Sequence, residues 1–182
     1  GLIEQAKAGF IQPIDTYLDY DALEKTLIPG FLESVRVNGR TYGAPMRMAV
    51  KSIVWYPKEA YEAGGYDLAP ANLDVVADVA AEMVSNGQVP WCMGWEAGQG
   101  TGWVGTDWIE EYMLRLWGPE VYDQWVTNEI PFNDPKVIAA FDAFGEMLDI
   151  EGNILGGREG ILATAFSDAM LPAWEQPPGC MM

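Results

Sequence analysis

Residues Val37–Tyr66 read VNGRTYGAPMRMAVKSIVWYPKEAYEAGGY, and three kinds of element meet in that run. Asn38-Gly39 lies between two short alternating segments within Glu33–Met46. That is the strongest local signal for a two-residue hairpin, because both turn positions need positive φ. Val50–Tyr56 is rich in β-branched and aromatic residues and closes at Pro57, which predicts a strand. Lys58–Ala63 follows as a short helix and stops at Gly64-Gly65. Hairpin, strand and helix in one stretch predict an α/β chain.

The pattern continues toward the C-terminus. Asn72 caps a helix that runs to about Ser85, with Val75, Val76, Val79 and Met83 as its apolar stripe. Gln88–Trp95, QVPWCMGW, is the next strand candidate. Asp107 and Glu110 have capping-box spacing at the head of a run in which Trp108, Ile109, Tyr112 and Leu116 share a face. Gly118-Pro119 stops that helix and starts another carrying Val121, Tyr122 and Trp125. Asn133-Asp134-Pro135 opens a further helix with Val137, Phe141, Phe144 and Leu148 inward. EGNILGGREG (151–160) reads as a loop, and Thr164–Trp174 as a weaker mixed segment.

Composition excludes several functions. The 182 residues are 49% hydrophobic and 20% charged, a globular balance. Against 27 acidic side chains stand 10 basic ones, for a net charge of −17. A field of that sign repels phosphate backbones and anionic lipid, so neither nucleic acid nor direct membrane insertion is expected. There is no histidine, which removes the usual general base and the commonest metal ligand. No metal or other cofactor is expected. Cys92 and Cys180 are far apart and form no C-x-x-C. A disulfide and two buried free thiols both remain open from composition. No apolar run reaches the roughly 18 residues of a membrane span. The chain opens on GLIEQAKAGF, with Leu2, Ile3, Ala6 and Phe10 on one helical side, and closes on EQPPGCMM. Both ends read as cuts through a larger protein, so the lack of a signal peptide says little about location.

The chemistry-bearing stretch is Pro90–Glu111, PWCMGWEAGQGTGWVGTDWIEE. Glu96, Asp107, Glu110 and Glu111 could supply the paired carboxylates of a glycosidase, although Asp107 and Glu110 already have a capping role. No G-x-S-x-G occurs, and GQGTGWVG lacks the G-K-[ST] ending of a phosphate loop. Trp91, Trp117 and Trp125 are expected in the core. Trp95, Trp103 and Trp108 border a flexible glycine-rich loop, where an indole can stack on a sugar ring while carboxylates take its hydroxyls.

These residues bring a family into view. Val37–Tyr66 resembles the crossover segment of family 1 extracellular solute-binding proteins, in which a hairpin with G-x-x-Y-G-x-P leads into a strand ending in W-Y-P-K. Asp107–Val137, DWIEEYMLRLWGPEVYDQWVTNEIPFNDPKV, and the closing PPGCMM are similar to the alpha-glucoside-binding branch serving bacterial ABC importers. The resemblance implies a type II periplasmic-binding-protein-like α/β fold, present in part and mostly as its helix-rich second lobe. It divides the chain into residues 1–52 as the tail of the first lobe, 53–57 as a hinge crossing, 58–174 as the second lobe and 175–182 as the return. It implies sugar binding without catalysis, importer membrane subunits as partners and a periplasmic or extracytoplasmic location. Tyr42 and Pro45 match the hairpin motif, and Lys51 and Trp55 the run into the hinge. Glu96, Trp103, Asp107 and Trp108 match the cleft loop. Trp103 or Trp108 would stack on the ring, and Glu96, Asp107 and Lys51 would bind hydroxyls, with capping as the competing role for Asp107. Cys92 and Cys180 would pair in an oxidising periplasm. Two readings compete with the receptor: a sugar-processing enzyme using Glu96 and Asp107, and a fragment that binds nothing. Unpaired sheet edges of such a fragment predict a homo-oligomer.

Overall fold

The computed structural model describes residues 1–44, 46 and 49–182. The chain forms two compact units, Gly1–Lys51 and Ser52–Met182.

The first unit is built around the expected hairpin. β1 (Arg36–Val37) pairs antiparallel with β2 (Arg40–Thr41), in register Arg36 with Thr41 and Val37 with Arg40. Asn38 and Gly39 both take positive φ, 52° and 75°, as a two-residue turn of this kind demands. Val37 and Thr41 are buried with Leu32 and Ala6, the latter on α1 (Leu2–Lys7). Phe10 does not join Ala6 as periodicity suggested: α1 ends at Lys7, Gly9 turns the chain at φ 74°, and Phe10 is exposed. A helix not read from the sequence, α2 (Tyr20–Thr26), starts where Asp19 accepts the Ala22 N–H at 3.0 Å.

Ser52–Tyr56 opens the second unit, and the strand expected across Val50–Tyr56 does not form there. Ser52 sits at φ 59°, which interrupts an extended run, and no described segment pairs with it. β propensity without a neighbouring strand leaves such a run single.

Helices dominate the rest of this unit. α3 (Lys58–Gly64) ends at Gly65 with φ 73°, and a side chain on Gly64 would collide with the Tyr66 ring. Asn72 caps α4 (Leu73–Ser85) by accepting from Val75 N at 3.0 Å. α5 (Trp103–Val126) is broken at Gly118, with φ 78° and ψ 174°, where Gly118-Pro119 was expected to divide it. Asp134 caps α6 (Pro135–Asp149) through Lys136 N at 2.9 Å. Its buried face is Val137, Ala140 and Phe144, while Phe141 turns outward against Phe132. α7 (Gly157–Ala163) begins inside the stretch expected as loop.

Gln88–Trp95 is extended but makes only single parallel bridges, Trp91 with Ile154 and Glu96, just beyond it, with Ala165. Pro90 has no N–H to offer and its carbonyl accepts from Met182, so this run is threaded between segments without becoming a ladder. Trp91, Met93, Met83, Ile161 and Met181 form one core around it. Met113, Ile109, Tyr112, Val137, Ala140 and Phe144 form a second between α5 and α6. A third, smaller group surrounds the disulfide that joins Cys92 to Cys180.

Burial raises the hydroxyl pKa of Tyr61, Tyr112 and Tyr122, the last to about 12 with Glu110 adding its charge. A raised acid pKa favours the neutral form in the folded state. That stability is complete below the ordinary tyrosine value of about 10 and is lost as pH rises through the folded value. An absorbance titration should show these phenols ionising late, together with alkaline unfolding. Ordinary titration of all tyrosines in folded protein would contradict the burial.

Candidate functional site

The stretch Glu96–Gly102 is a turn held by hydrogen bonds of its own. Glu96 Oε1 accepts the Gly98 N–H at 2.7 Å. Thr101 Oγ1 accepts from Ala97 N at 3.1 Å and donates to Gly98 O at 2.7 Å. Gly98 and Gly102 supply the left-handed conformations, with φ 57° and 100°. Gly102 is also the residue from which α5 departs, with no side-chain cap. Glycine here supplies the bend.

That start corrects the reading of Asp107. The helix begins at Trp103, so Asp107 stands in its second turn and not at its cap. The spacing to Glu110 is a coincidence in an acid-rich chain. Asp107 lies one turn beyond Trp103 and shares its face of α5. Its charge adds to that of Glu110 in raising the Tyr122 pKa, and Glu110 accepts a hydrogen bond from Tyr122 at 3.2 Å.

The tryptophans divide differently from expectation. Trp108 stacks on Phe144 with centroids 5.5 Å apart and 13° between planes, and Trp91 meets it edge-on at 5.2 Å. These contacts pack Trp108, partly buried, against both core clusters. Trp95 also stacks on Phe144. Trp117, expected inside, is 39% exposed and donates its indole N–H to Lys136 O at 2.9 Å. Among Trp95, Trp103 and Trp108, Trp103 is the most exposed, 39% at the head of α5. Its ring meets Phe166, itself 49% exposed, at 5.3 Å and 74°.

Phe166 is a residue the sequence did not point to. Glu96 holds it through the backbone: Glu96 N donates to Thr164 O at 3.0 Å, and Phe166 N donates to Glu96 O at 3.0 Å. The Trp103 and Phe166 rings thus meet at this turn, with the Glu96 backbone bonded to Phe166 and Asp107 further along the Trp103 face of α5. Neither Trp91–Leu114 nor Glu159–Met182 contains lysine or arginine. Among the described residues no cluster of side chains could hold a metal ion. Trp55 is 63% exposed in the segment that opens this unit. Tyr42 and Lys51 belong to the Gly1–Lys51 unit. Pro45 lies outside the described residues.

Two solved structures share this architecture. The bacterial solute receptor AcbH, described as having an exclusive preference for b-D-galactopyranose, superposes with a TM-score of 0.74 at 23% identity, over 100% of this chain and 43% of its own. A chitin oligosaccharide binding protein gives 0.75 at 20% identity, over 99% and 42%. The chain is thus part of a type II periplasmic-binding-protein fold, mostly its helix-rich portion.

It belongs to the bacterial extracellular solute-binding protein family, whose model matches residues 2–175. It is 38% identical over 177 residues to the osmoprotective compounds-binding protein GgtB of Synechocystis sp., covering 97% of this chain and 42% of that protein. It is 37% identical over 141 residues to the alpha-glucosides-binding periplasmic protein AglE of Rhizobium meliloti, covering 78% and 31%. The chain therefore spans less than half the length of these relatives. No helix among the described residues is long and apolar enough to cross a membrane.

Proposed function

We propose that this chain supplies ligand-gripping segments of an extracytoplasmic receptor. The receptor binds a neutral carbohydrate and delivers it unchanged to the membrane subunits of an ABC importer. The observation that carries this reading is the Trp103 indole, 39% exposed at the head of α5, next in the chain to a turn in which the Gly98 N–H holds the Glu96 carboxylate. An indole face takes the C–H face of a pyranose, and carboxylates take its hydroxyls. The net charge of −17 disfavours phosphorylated or acidic sugars.

An alpha-glucoside or related oligosaccharide is the favoured ligand, supported by the resemblance of Asp107–Val137 and by the relative named for alpha-glucosides. The relative named for osmoprotective compounds adds osmolytes to the set worth testing. Glu96, Asp107 and Lys51 are proposed for hydroxyls, and Tyr42 and Trp55 as further contacts. In this reading residues 1–52 end the first lobe, 53–57 cross the hinge, 58–174 form the second lobe and 175–182 return. A periplasmic site of action follows from the family and accords with the disulfide.

Calorimetric titration of the complete protein with maltose, trehalose, sucrose and other glucosides tests the reading. At least one should bind and be recovered intact, and Trp103→Ala should weaken it roughly three- to tenfold. Turnover of a chromogenic glycoside, abolished in Glu96→Gln, would instead make the protein an enzyme.

A further inference from the structure

Residues 164–166 carry no periodicity, yet the fold fixes them closely. We infer that Phe166 is the second wall of the ligand seat and takes part in setting which ring fits there. This rests on the receptor reading and adds to it a residue that neither the family motifs nor the sequence pattern singled out.

The placement begins at Gly94. A Cβ there would lie 2.8 Å from the carbonyl oxygens of both Thr164 and Ala165 and 2.9 Å from the Thr164 side chain. Only glycine lets this segment come so near the extended run, since under 3.0 Å something has to shift. Once there, it is gripped from both sides by Glu96, whose N–H and C=O bond to Thr164 and Phe166. The Phe166 backbone is thereby fixed at the turn, five residues past Ile161, which is 2% exposed, and its own side chain is 49% exposed.

The result is a corner. The Trp103 and Phe166 rings stand at 74° with centroids 5.3 Å apart, and both remain substantially open. Aromatic side chains that keep 39% and 49% of their surface exposed gain from a ligand that covers that part of both. A pyranose presents apolar C–H groups on one face and along one edge, which suits two walls near a right angle. In this proposal a ligand hydroxyl goes to the Glu96 carboxylate, whose Oε1 accepts from Gly98 N. Trp103 then supplies the stacking face, and Phe166 limits how the ring can turn upon it.

Calorimetry on the complete protein tests this, using the best and second-best neutral sugars found for the wild type, with Phe166→Ala and Phe166→Tyr. Phe166→Ala should weaken the best sugar about three- to tenfold and change the ratio of the two dissociation constants, because aromatic contact and shape are both lost. Phe166→Tyr should restore both. Thermal midpoints of both variants should stay close to wild type, since the side chain is half exposed. If Phe166→Ala binds both sugars like wild type, the second wall is wrong while the receptor reading stands. Equal loss in both variants with a lowered midpoint would make the role structural and overturn the inference. If wild type binds no neutral sugar, the receptor reading fails and this one falls with it.

Discussion

Replacing Cys92 and Cys180 with serine should lower the unfolding free energy by up to roughly 4–5 kcal/mol. The bridge closes a loop of 88 positions, and loop length sets the entropy it removes from the unfolded chain. Its native surroundings are also formed. Cys180 is fully buried, Ala173 is 1% exposed, and the Cys92 backbone N–H donates to Met182 O. The bridge thus fastens the central extended run to the last residues of the chain, and that run carries Gly94 and leads into Glu96. Urea titration with and without reductant measures the effect. The reduced protein should unfold at a lower midpoint with an equal or steeper slope, because its unfolded state is less compact. Superimposable curves would mean that the bridge is absent from the native protein.

Phe144→Ala should cost about 3–5 kcal/mol. Phe144 is 6% exposed, and three rings meet it: Trp108 at 5.5 Å, Tyr112 at 5.8 Å and Trp95 at 5.9 Å. Alanine leaves a cavity that rigid indoles cannot fill by small shifts. Phe141, on the same helix but 44% exposed, gives the contrast, and Phe141→Ala should cost less than about 1 kcal/mol. Because Phe144 seats α5 on α6, its loss should also loosen the helix that carries Trp103 and Asp107. Equal costs at the two positions in denaturant titrations would show that α6 presents a different face to the core.

Those two phenylalanines also show where sequence reasoning stops. A 3.6-residue pattern placed both inward, yet the buried face of α6 runs through Val137, Ala140 and Phe144 and leaves Phe141 against Phe132 at the surface. Local signals were legible. Asn38-Gly39, Asn72, Gly65 and Asp134 each act through their own neighbours, and each turn or cap lies where the sequence put it. The head of α5 was not legible in the same way. Its start depends on glycine conformation at Gly102, which leaves no side-chain signature, while Asp107 and Glu110 offered a false one. At the site, Trp103 and Glu96 stood out by type and context. Trp108 resembled them in sequence and is partly buried against Phe144 and Trp91. Phe166 gave no signal, because a non-local pairing with Glu96 brings it to the turn.

The most direct measurement is a crystal structure of the complete protein with a bound neutral glucoside. The expected result is the sugar ring against Trp103, bounded by Phe166, with a hydroxyl on Glu96 and Trp108 still packed on Phe144. A sugar held elsewhere, with Trp103 and Phe166 both left in solvent, would contradict it.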